Sequence, residues 1–342
     1  MSLQQRLPWT QSPLIINAPM GGHAGAALAI AVTKAGGHGQ IGAVADMNDL
    51  ASHLARVEQA LPRYNGLLPI GVGLLPFIID LDDALPVLEK YKPAVVWLFA
   101  AKELADYAVC AAQIRRVIPG VQIWVQVGSV AAALAVAEDC KPDVMCVQGL
   151  DAGGHGFEKG AGIVSLFPEV ADALTTAGHD STPLVAAGGI ADGRGAAAAF
   201  ALGAQGVVMG TRFLSAPETQ LHPIYRKAVL AAHDGGQTTV RAKLFDELRG
   251  PNMWPLSYDG RSIVMESWIE HADGSGIEEI RRLHAEAGKA EDGGYGVDGR
   301  GRTAMWAGTG VGLVRKEQPA AEIVEEVRRQ VVEVLEGVKA RL

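Results

Sequence analysis

The sequence predicts an α/β protein whose simplest architecture is a (β/α)8 barrel. Over the first 214 residues, eight short apolar runs rich in Val and Ile alternate with seven longer stretches rich in Ala and Leu. The short runs are apolar almost throughout, as expected of parallel strands that are covered on both faces. An open, doubly wound sheet is the main competitor, because local periodicity does not show whether the first and eighth strands pair.

The predicted strands and helices follow one another in strict order. Several helices carry start and stop signals, with Asp46, Asn48 or Asp49 near one start and Gly120 and Gly203 just past two ends. The predicted strands are 14–20, 39–44, 69–75, 94–100, 121–128, 143–149, 184–190 and 206–214. The predicted helices are 24–35, 47–61, 82–91, 103–118, 129–139, 165–177 and 193–202.

The alternation stops after Leu214. Residues 215–300 contain scattered prolines and glycine pairs, which predict a partly helical extension or lid rather than a second α/β half. Residues 317–342 have the charge-studded, amphipathic pattern of a terminal helix. We therefore expect residues 1–214 and 301–342 to form the barrel with its terminal helix, and residues 215–300 to form the extension.

Composition excludes several classes of function. Hydrophobic residues make up 49% of the 342 positions, which rules out a disordered chain. The net charge of −8, without any run of basic residues, argues against a nucleic-acid partner. No segment approaches the roughly 18 uninterrupted apolar residues of a membrane span. We expect a cytoplasmic protein, with a peroxisomal location as the alternative because Ala340-Arg341-Leu342 loosely resembles such an address.

Two glycine turns follow the last two predicted strands. The first contains Gly188 and Gly189, and the second contains Gly210 and Thr211. In a barrel the loops after strands seven and eight often bind phosphate, and glycine lets backbone N–H groups approach the oxygens. Ordinary strand-to-helix turns are the alternative, but two such turns in this order favour a phosphate site. Asp192 is expected to cap the helix that follows.

A histidine follows the sixth predicted strand. His155 lies in a glycine-flanked loop that begins at Gln148 and includes Gly153. Barrel enzymes place their chemistry at the carboxyl ends of strands, and imidazole is suited to removing a proton near neutral pH. A structural loop histidine is the alternative. No second His or Cys stands nearby at ligand spacing, and the three cysteines are expected to be buried, so we expect no metal.

A third candidate segment ends the first predicted strand and reads Asn17-Ala18-Pro19-Met20-Gly21-Gly22. Its glycine pair permits a turn against a flat cofactor, although a simple rim turn would look the same. His23 and His38 lie beside glycines and are weaker candidates for lining a pocket. The run of residues 308–312 is rich in glycine but follows no predicted strand, so it is not interpreted as a dinucleotide fingerprint.

These segments together resemble a known family. The set NAPMGG, VQGLDAGGHG, AAGGIADGRG and VVMGTRFL, in this order, resembles the nitronate monooxygenases, formerly called 2-nitropropane dioxygenases. The resemblance runs from about Leu14 to Leu214, with a further echo at residues 306–310. The signature is shared with enoyl-acyl-carrier-protein reductase and NAD(P)H:quinone reductase relatives. It implies a TIM barrel with an extra segment over its catalytic mouth and a non-covalent FMN cofactor.

The resemblance also implies roles for individual residues. Met20 and Gly22 would lie beside the isoalloxazine, and Gln148 and Gly153 would contact the flavin or its ribityl chain. Gln126, at the end of strand five, faces the same mouth, and His155 matches the catalytic histidine. The phosphate would be held by the strand-seven and strand-eight ends, which comprise Gly188, Gly189, Met209, Gly210 and Thr211.

Two positions depart from the family pattern. The family often has Asn near the end of strand three, where this chain has Gly71-Val72-Gly73. It also often has Gln two residues before the Gly-Thr pair, where Val208 stands here. Both missing side chains are flavin contacts in the family pattern, so cofactor geometry or affinity is expected to differ.

The function expected from this resemblance is an FMN-dependent nitronate monooxygenase. It would oxidise alkyl nitronates, and neutral nitroalkanes as a further class, with O2 to carbonyl compounds and nitrite, and His155 would be the general base. Expected partners are the small-molecule substrate and O2, with a homodimer as one assembly. Two alternatives remain: an NAD(P)H-dependent flavin reductase of quinones or enoyl thioesters, and a non-catalytic barrel that binds flavin or another phosphate ligand.

Overall fold

A computed structural model describes residues 3–43 and 45–342. Eight parallel strands form one sheet in the order β1-β9-β8-β6-β5-β4-β3-β2. Parallel bridges from Ile16 to His38 and from Gly21 to Gly42 join its two ends, so the sheet closes into a barrel and an open sheet is excluded. The barrel strands are β1 Ile15–Asn17, β2 Gln40–Gly42, β3 Leu68–Leu74, β4 Pro93–Leu98, β5 Gln122–Val127, β6 Val144–Gln148, β8 Leu184–Ala187 and β9 Val207–Met209.

All eight predicted strands are present but most are shorter than predicted. The second was expected to end at Val44, which lies outside the described residues. The eighth was expected to reach Leu214, and this is wrong, because β9 ends at Met209. The chain turns at Gly210, whose carbonyl accepts a hydrogen bond from the N–H of Phe213 at 2.9 Å, and Thr211–Ser215 is a 3-10 helix.

Helices surround the barrel. Asp46, Ser129 and Asp192 cap three of them by accepting backbone N–H groups of the first turn, which confirms Asp192 as a cap. The helices are α1 Leu3–Arg6, α2 Ala26–Lys34, α3 Met47–Ala60, α4 Leu81–Tyr91, α5 Asp106–Val117, α6 Val130–Asp139, α7 Ile163–Thr176, α8 Gly193–Ala201, α9 Pro223–Ala231, α10 Gly235–Thr238, α11 Leu244–Glu247, α12 Glu266–Ala272, α13 Ile277–Ala287 and α14 Ala320–Lys339. Among the described residues, no helix has the length and apolar character that crossing a bilayer requires.

The terminal helix α14 completes the ring of barrel helices by packing between α8 and α2. The N–H of Gly193 donates to Oε1 of Gln330 at 2.9 Å. Gly193 is required there because a Cβ would overlap with the Gln330 side chain. The terminal helix therefore packs against the outer helices of the barrel.

The apolar core has two layers. Side chains of β1, β4, β5, β6 and β9 fill the barrel interior, among them Ile16, Trp97, Trp124 and Val208. The alternate residues of the same strands face outward and pack against the helices. Leu3 and Leu7 close the amino end of the interior, so the open end is the one formed by the carboxyl ends of the strands.

A second sheet covers part of this open end. It contains three antiparallel strands in the order β10-β11-β7, namely β10 Thr239–Ala242, β11 Tyr258–Ile263 and β7 Gly154–Phe157. The segment around His155 was expected to be a loop, and this is wrong, because residues 154–157 pair along their length with residues 258–261. The pairing brings part of residues 215–300 to the mouth of the barrel.

Candidate active site

A cavity lies at the carboxyl ends of the barrel strands. Seven of the residues expected to bind a cofactor line it, which are Gln126, Gln148, Gly153, Gly188, Gly189, Gly210 and Thr211. The cavity is also lined by residues from segments already noted in the sequence, namely Ala18, Ala187, Val208, Gly308 and Gly310, and by Trp97, which the sequence did not single out. The cavity is therefore bounded by several barrel strands and by a turn from the carboxyl-terminal part of the chain.

The turn after β8 can be built only with glycine. Gly188 and Gly189 have φ values of +99° and +75°. A Cβ on Gly188 would lie 2.6 Å from the carbonyl oxygen of Gly149, and one on Gly189 would lie 2.9 Å from Cβ of Asp151. Positive φ and close backbone approach both favour glycine. The turn thus places backbone atoms without side chains at the edge of the cavity.

The turn after β9, in contrast, leaves room for a side chain. Gly210 has an ordinary φ of −100°, and the nearest atoms to a Cβ there would be Cβ of Ala18 at 3.6 Å and Sδ of Met20 at 3.8 Å. Among the described residues, the N–H groups of Gly189 and Gly210 have no hydrogen-bond partner. The hydroxyl oxygen of Thr211 accepts the N–H of Gly308 at 2.9 Å, which leaves its own O–H available as a donor. This edge of the cavity offers donors to an anion.

The three other expected cofactor residues lie differently. Met20 reaches the rim beside Gly210. Gly22 lies in a turn at the mouth with a φ of +72° and does not line the cavity. The side chain of Met209 is fully buried in the outer layer against the helices, because Val208 takes the inward position on this short strand.

The departure from the family pattern on strand three has a steric basis. A Cβ on Gly73 would lie 2.5 Å from Cβ of Pro19, and one on Gly71 would overlap with the side-chain oxygen of Gln40. A side chain would therefore be crowded at both positions. With Val208 lining the cavity as well, its polar side chains are Gln126, Gln148 and Thr211.

His155 lies on β7 beside this cavity rather than in its lining. Its Nε2 is 2.7 Å from Oδ1 of Asp246, and the two side chains are 14% and 6% exposed. Gln148 links the cavity to the same strand by donating its side-chain N–H to the carbonyl oxygen of His155 at 3.2 Å. The structure therefore joins the predicted histidine to a buried carboxylate 91 residues away.

Aromatic rings surround the imidazole. Trp254 is parallel to it, with 3.6 Å between ring centroids and 4° between planes, and the Trp306 ring is tilted at 4.7 Å. Phe77 packs against Trp254 at 4.5 Å. This part of β11 must be glycine, because a Cβ on Gly260 would overlap with Trp306 and lie 3.3 Å from Nε2 of His155. The imidazole therefore packs against aromatic, mainly apolar side chains.

Two arginines of the three-stranded sheet make buried polar contacts with neighbouring residues. Arg241 and Asp259 form a buried ion pair. The guanidinium of Arg261 donates to the carbonyl oxygen of Leu150 at 3.2 Å and to the hydroxyl of Thr239. Burial, and secondarily the nearby charge of Arg241, lowers the pKa of Arg261 below its ordinary value. These contacts fix β11 to the end of β6 and so position β7.

The glycine-rich turn of residues 308–312 closes the cavity from the carboxyl-terminal side. The N–H of Thr309 donates to the carbonyl oxygen of Asp151 at 3.0 Å, and its hydroxyl donates to Oδ1 of Asp151 at 3.1 Å. A Cβ on Gly310 would press on the carbonyl oxygen of Gly189 at 3.0 Å. The only sequence signal for this role is the family echo at residues 306–310.

The weaker candidates His23 and His38 lie outside the cavity lining. Among the described residues, no group of three or more His, Cys, Asp and Glu side chains is arranged to hold a metal ion. His23 contacts the carbonyl oxygen of Gln220 through Nδ1 at 2.9 Å and does not line the cavity. His38 is fully buried in the barrel interior, and burial lowers its pKa from 6.5 to about 3.

The chain is similar to several known proteins. Residues 111–330 match the family model described as nitronate monooxygenase. The chain is 42% identical to the nitronate monooxygenase npaC of Metarhizium robertsii, with 100% of this chain and 97% of the relative covered. It is 36% identical to a nitronate monooxygenase of Neurospora crassa, with 99% and 94% covered. Among solved structures it resembles FabK from Thermotoga maritima, with a TM-score of 0.76, 26% identity and 99% and 98% covered.

Proposed function

This chain belongs to the nitronate monooxygenase family, and from that premise we propose that it is an FMN-dependent enzyme that oxidises alkyl nitronates. In the proposed reaction O2 is the oxidant, and a carbonyl compound and nitrite are the products. Neutral nitroalkanes are a second substrate class that must first lose the proton on the carbon next to the nitro group. Because the chain belongs to this family, it is an oxidoreductase that acts on a small molecule.

The cavity fits the phosphate end of FMN. Its edge carries free N–H groups at Gly189 and Gly210, beside the hydroxyl of Thr211 and the turn at Gly188. Oriented backbone N–H groups favour an anion in this position of a barrel. A side chain at Gly210 would occupy the space that the phosphate needs, although nothing in the protein itself forbids one there.

The remaining expected residues are assigned to the rest of the cofactor. Gln126, Gln148 and Gly153 line the same cavity, where they can contact the ring system and the ribityl chain. Met20 and Gly22 approach from the rim. We assign Met209 a backbone role only, because its side chain packs against the helices.

When bound, FMN supplies the electron-transfer chemistry that amino-acid side chains lack. The chain itself binds the substrate beside His155 and removes one proton. For a neutral nitroalkane the α C–H bond breaks, its electron pair stays on the substrate as the nitronate, and the proton forms an N–H bond on the imidazole. Trp254 and Trp306 keep water away from this ring. A preformed nitronate needs no base.

The observation that carries this proposal is the position of His155, paired with Asp246 and adjacent to a cavity lined by glycine. The test uses the purified protein. Its absorbance spectrum should show flavin bands, the chromophore released by denaturation should have the mass of FMN, and alkyl nitronates should release nitrite in air. A colourless protein that does not take up FMN would contradict the cofactor, and a yellow protein that releases no nitrite would contradict the reaction.

The same preparation separates the two alternatives. Anaerobic mixing with NADH or NADPH should leave the flavin oxidised, and rapid bleaching would favour a reductase of quinones or enoyl thioesters. A non-catalytic flavin-binding barrel would retain the cofactor without turnover of either substrate class. A turnover of nitronate without added nicotinamide excludes both alternatives.

A further inference from the structure

Asp246 is the residue that the sequence did not single out and that makes the shortest polar contact to His155. It lies on α11, within residues 215–300, and its Oδ1 is 2.7 Å from Nε2 of the imidazole. Its other oxygen, Oδ2, is buried without a hydrogen-bond partner among the described residues. Within the described part of the chain, His155 is therefore the one side chain that the carboxylate of Asp246 contacts through a hydrogen bond.

The contact bears on which ring nitrogen carries the proton. An ionised carboxylate only accepts hydrogen bonds, so opposite an ionised Asp246 the Nε2 atom of His155 is the nitrogen that donates. Nδ1 then carries the lone pair, and it has no hydrogen-bond partner among the described residues. Nδ1 is thus the nitrogen that can take a proton.

The ring has little freedom to exchange its two nitrogens. Trp254 lies flat on one face at 3.6 Å, and Trp306 contacts it at 4.7 Å. The backbone is fixed by pairing with Gly260 on β11. Leu244 and Phe245 anchor α11 in an apolar cluster, and Phe245 meets Trp306 edge to face at 5.7 Å.

We propose that Asp246 is a positioning residue that holds His155 with Nε2–H toward the carboxylate and Nδ1 toward the substrate. The idea rests on the proposed function. The substrate C–H bond breaks, the electron pair remains on the nitronate, and Nδ1–H forms. The resulting imidazolium is paired with Asp246, which itself stays unprotonated, as in other His–carboxylate pairs that orient a general base.

The test compares Asp246→Asn with a matched control, Glu247→Gln, which removes the same charge one residue along α11. Each holoenzyme is assayed on a neutral nitroalkane and on its nitronate. The Asp246→Asn variant should lose about tenfold or more in kcat/KM for the nitroalkane and stay within about twofold for the nitronate. Asp246→Glu should recover part of the loss. Glu247→Gln should match the parent protein on both substrates.

A second readout does not depend on turnover. Imidazole ¹⁵N shifts, with His155 among the nine histidines assigned from the His155→Asn spectrum, should show the Nε2–H form in the parent protein and a loss of that preference in Asp246→Asn. An Nδ1–H form in the parent protein would overturn the proposal, and so would equal losses on both substrates or no loss on either. If the parent protein oxidises neither substrate, the proposed function fails, while the ¹⁵N spectrum still decides the tautomer.

Discussion

The indole of Trp254 lies flat on the imidazole of His155, with ring centroids 3.6 Å apart and planes within 4° of parallel. Trp254 also packs against Phe77 and close to Phe99 and Tyr258, whose strands and loops come from different parts of the chain. The tryptophan therefore fixes the plane of the histidine and forms one wall of its surroundings. It lies between Met253 and Leu256, which are 74% and 84% exposed.

Replacing Trp254 should disturb proton removal more than cofactor binding. Trp254→Ala removes the flat wall and frees the imidazole, so kcat/KM for a neutral nitroalkane should fall by roughly tenfold. Trp254→Phe keeps an aromatic face and should retain most of the activity. Steady-state kinetics with matched flavin content checks this. Higher nitroalkane turnover in Trp254→Ala would show instead that the indole obstructs the base.

The two glycine turns should respond differently to alanine. Gly210→Ala introduces a Cβ with no contact closer than 3.6 Å and an ordinary φ, so the free energy of unfolding of the apoprotein should not change. The same Cβ projects into the cavity and should weaken FMN binding by about tenfold or more. Titration of apoprotein with FMN and urea unfolding check both. Unchanged FMN affinity would remove Gly210 from the phosphate site.

The comparison variant is Gly189→Ala. It combines a φ of +75° with a contact of 2.9 Å to Asp151. Both strain the folded state, so this variant should lose about 1–3 kcal/mol of stability as well as FMN affinity. Equal stability of the two variants would contradict the difference that the structure shows between the turns.

The buried His38 should make stability depend on pH. Its pKa is lowered from 6.5 to about 3 by burial, so the folded protein keeps it neutral while the unfolded chain takes up a proton below pH 6.5. Stability should therefore fall as pH drops from 6.5 toward 3, by up to about 1.4 kcal/mol per pH unit from this group. Urea unfolding at several pH values should give a flatter profile for His38→Leu. The exposed His271→Asn is the control and should keep the parent slope.

The barrel and the two glycine turns could be predicted because both leave local marks in the sequence. Strands that are covered on both faces have continuous apolar runs in their sequence. The positive φ of Gly188 and Gly189 favours glycine at those two positions. The family resemblance implies a phosphate contact for Met209, yet the two-residue period of a strand directs its side chain outward.

The surroundings of His155 could not be predicted in the same way. Gly-His-Gly-Phe has no strand pattern, and its partner strand begins at Tyr258, about a hundred residues later. Asp246 lies on a helix of four residues without a periodic signal. Trp254 lies in an irregular segment beside Pro255. These residues reach the imidazole only through tertiary contacts made by residues 215–300.

The most direct test of the account is the activity of His155→Asn on a neutral nitroalkane and on the corresponding nitronate. Asn cannot take up the α proton but leaves the cofactor cavity intact. We predict a loss in kcat/KM of about a hundredfold or more for the nitroalkane and less than about threefold for the nitronate, at equal flavin content. Equal losses on the two substrates would contradict a proton-removing role for His155.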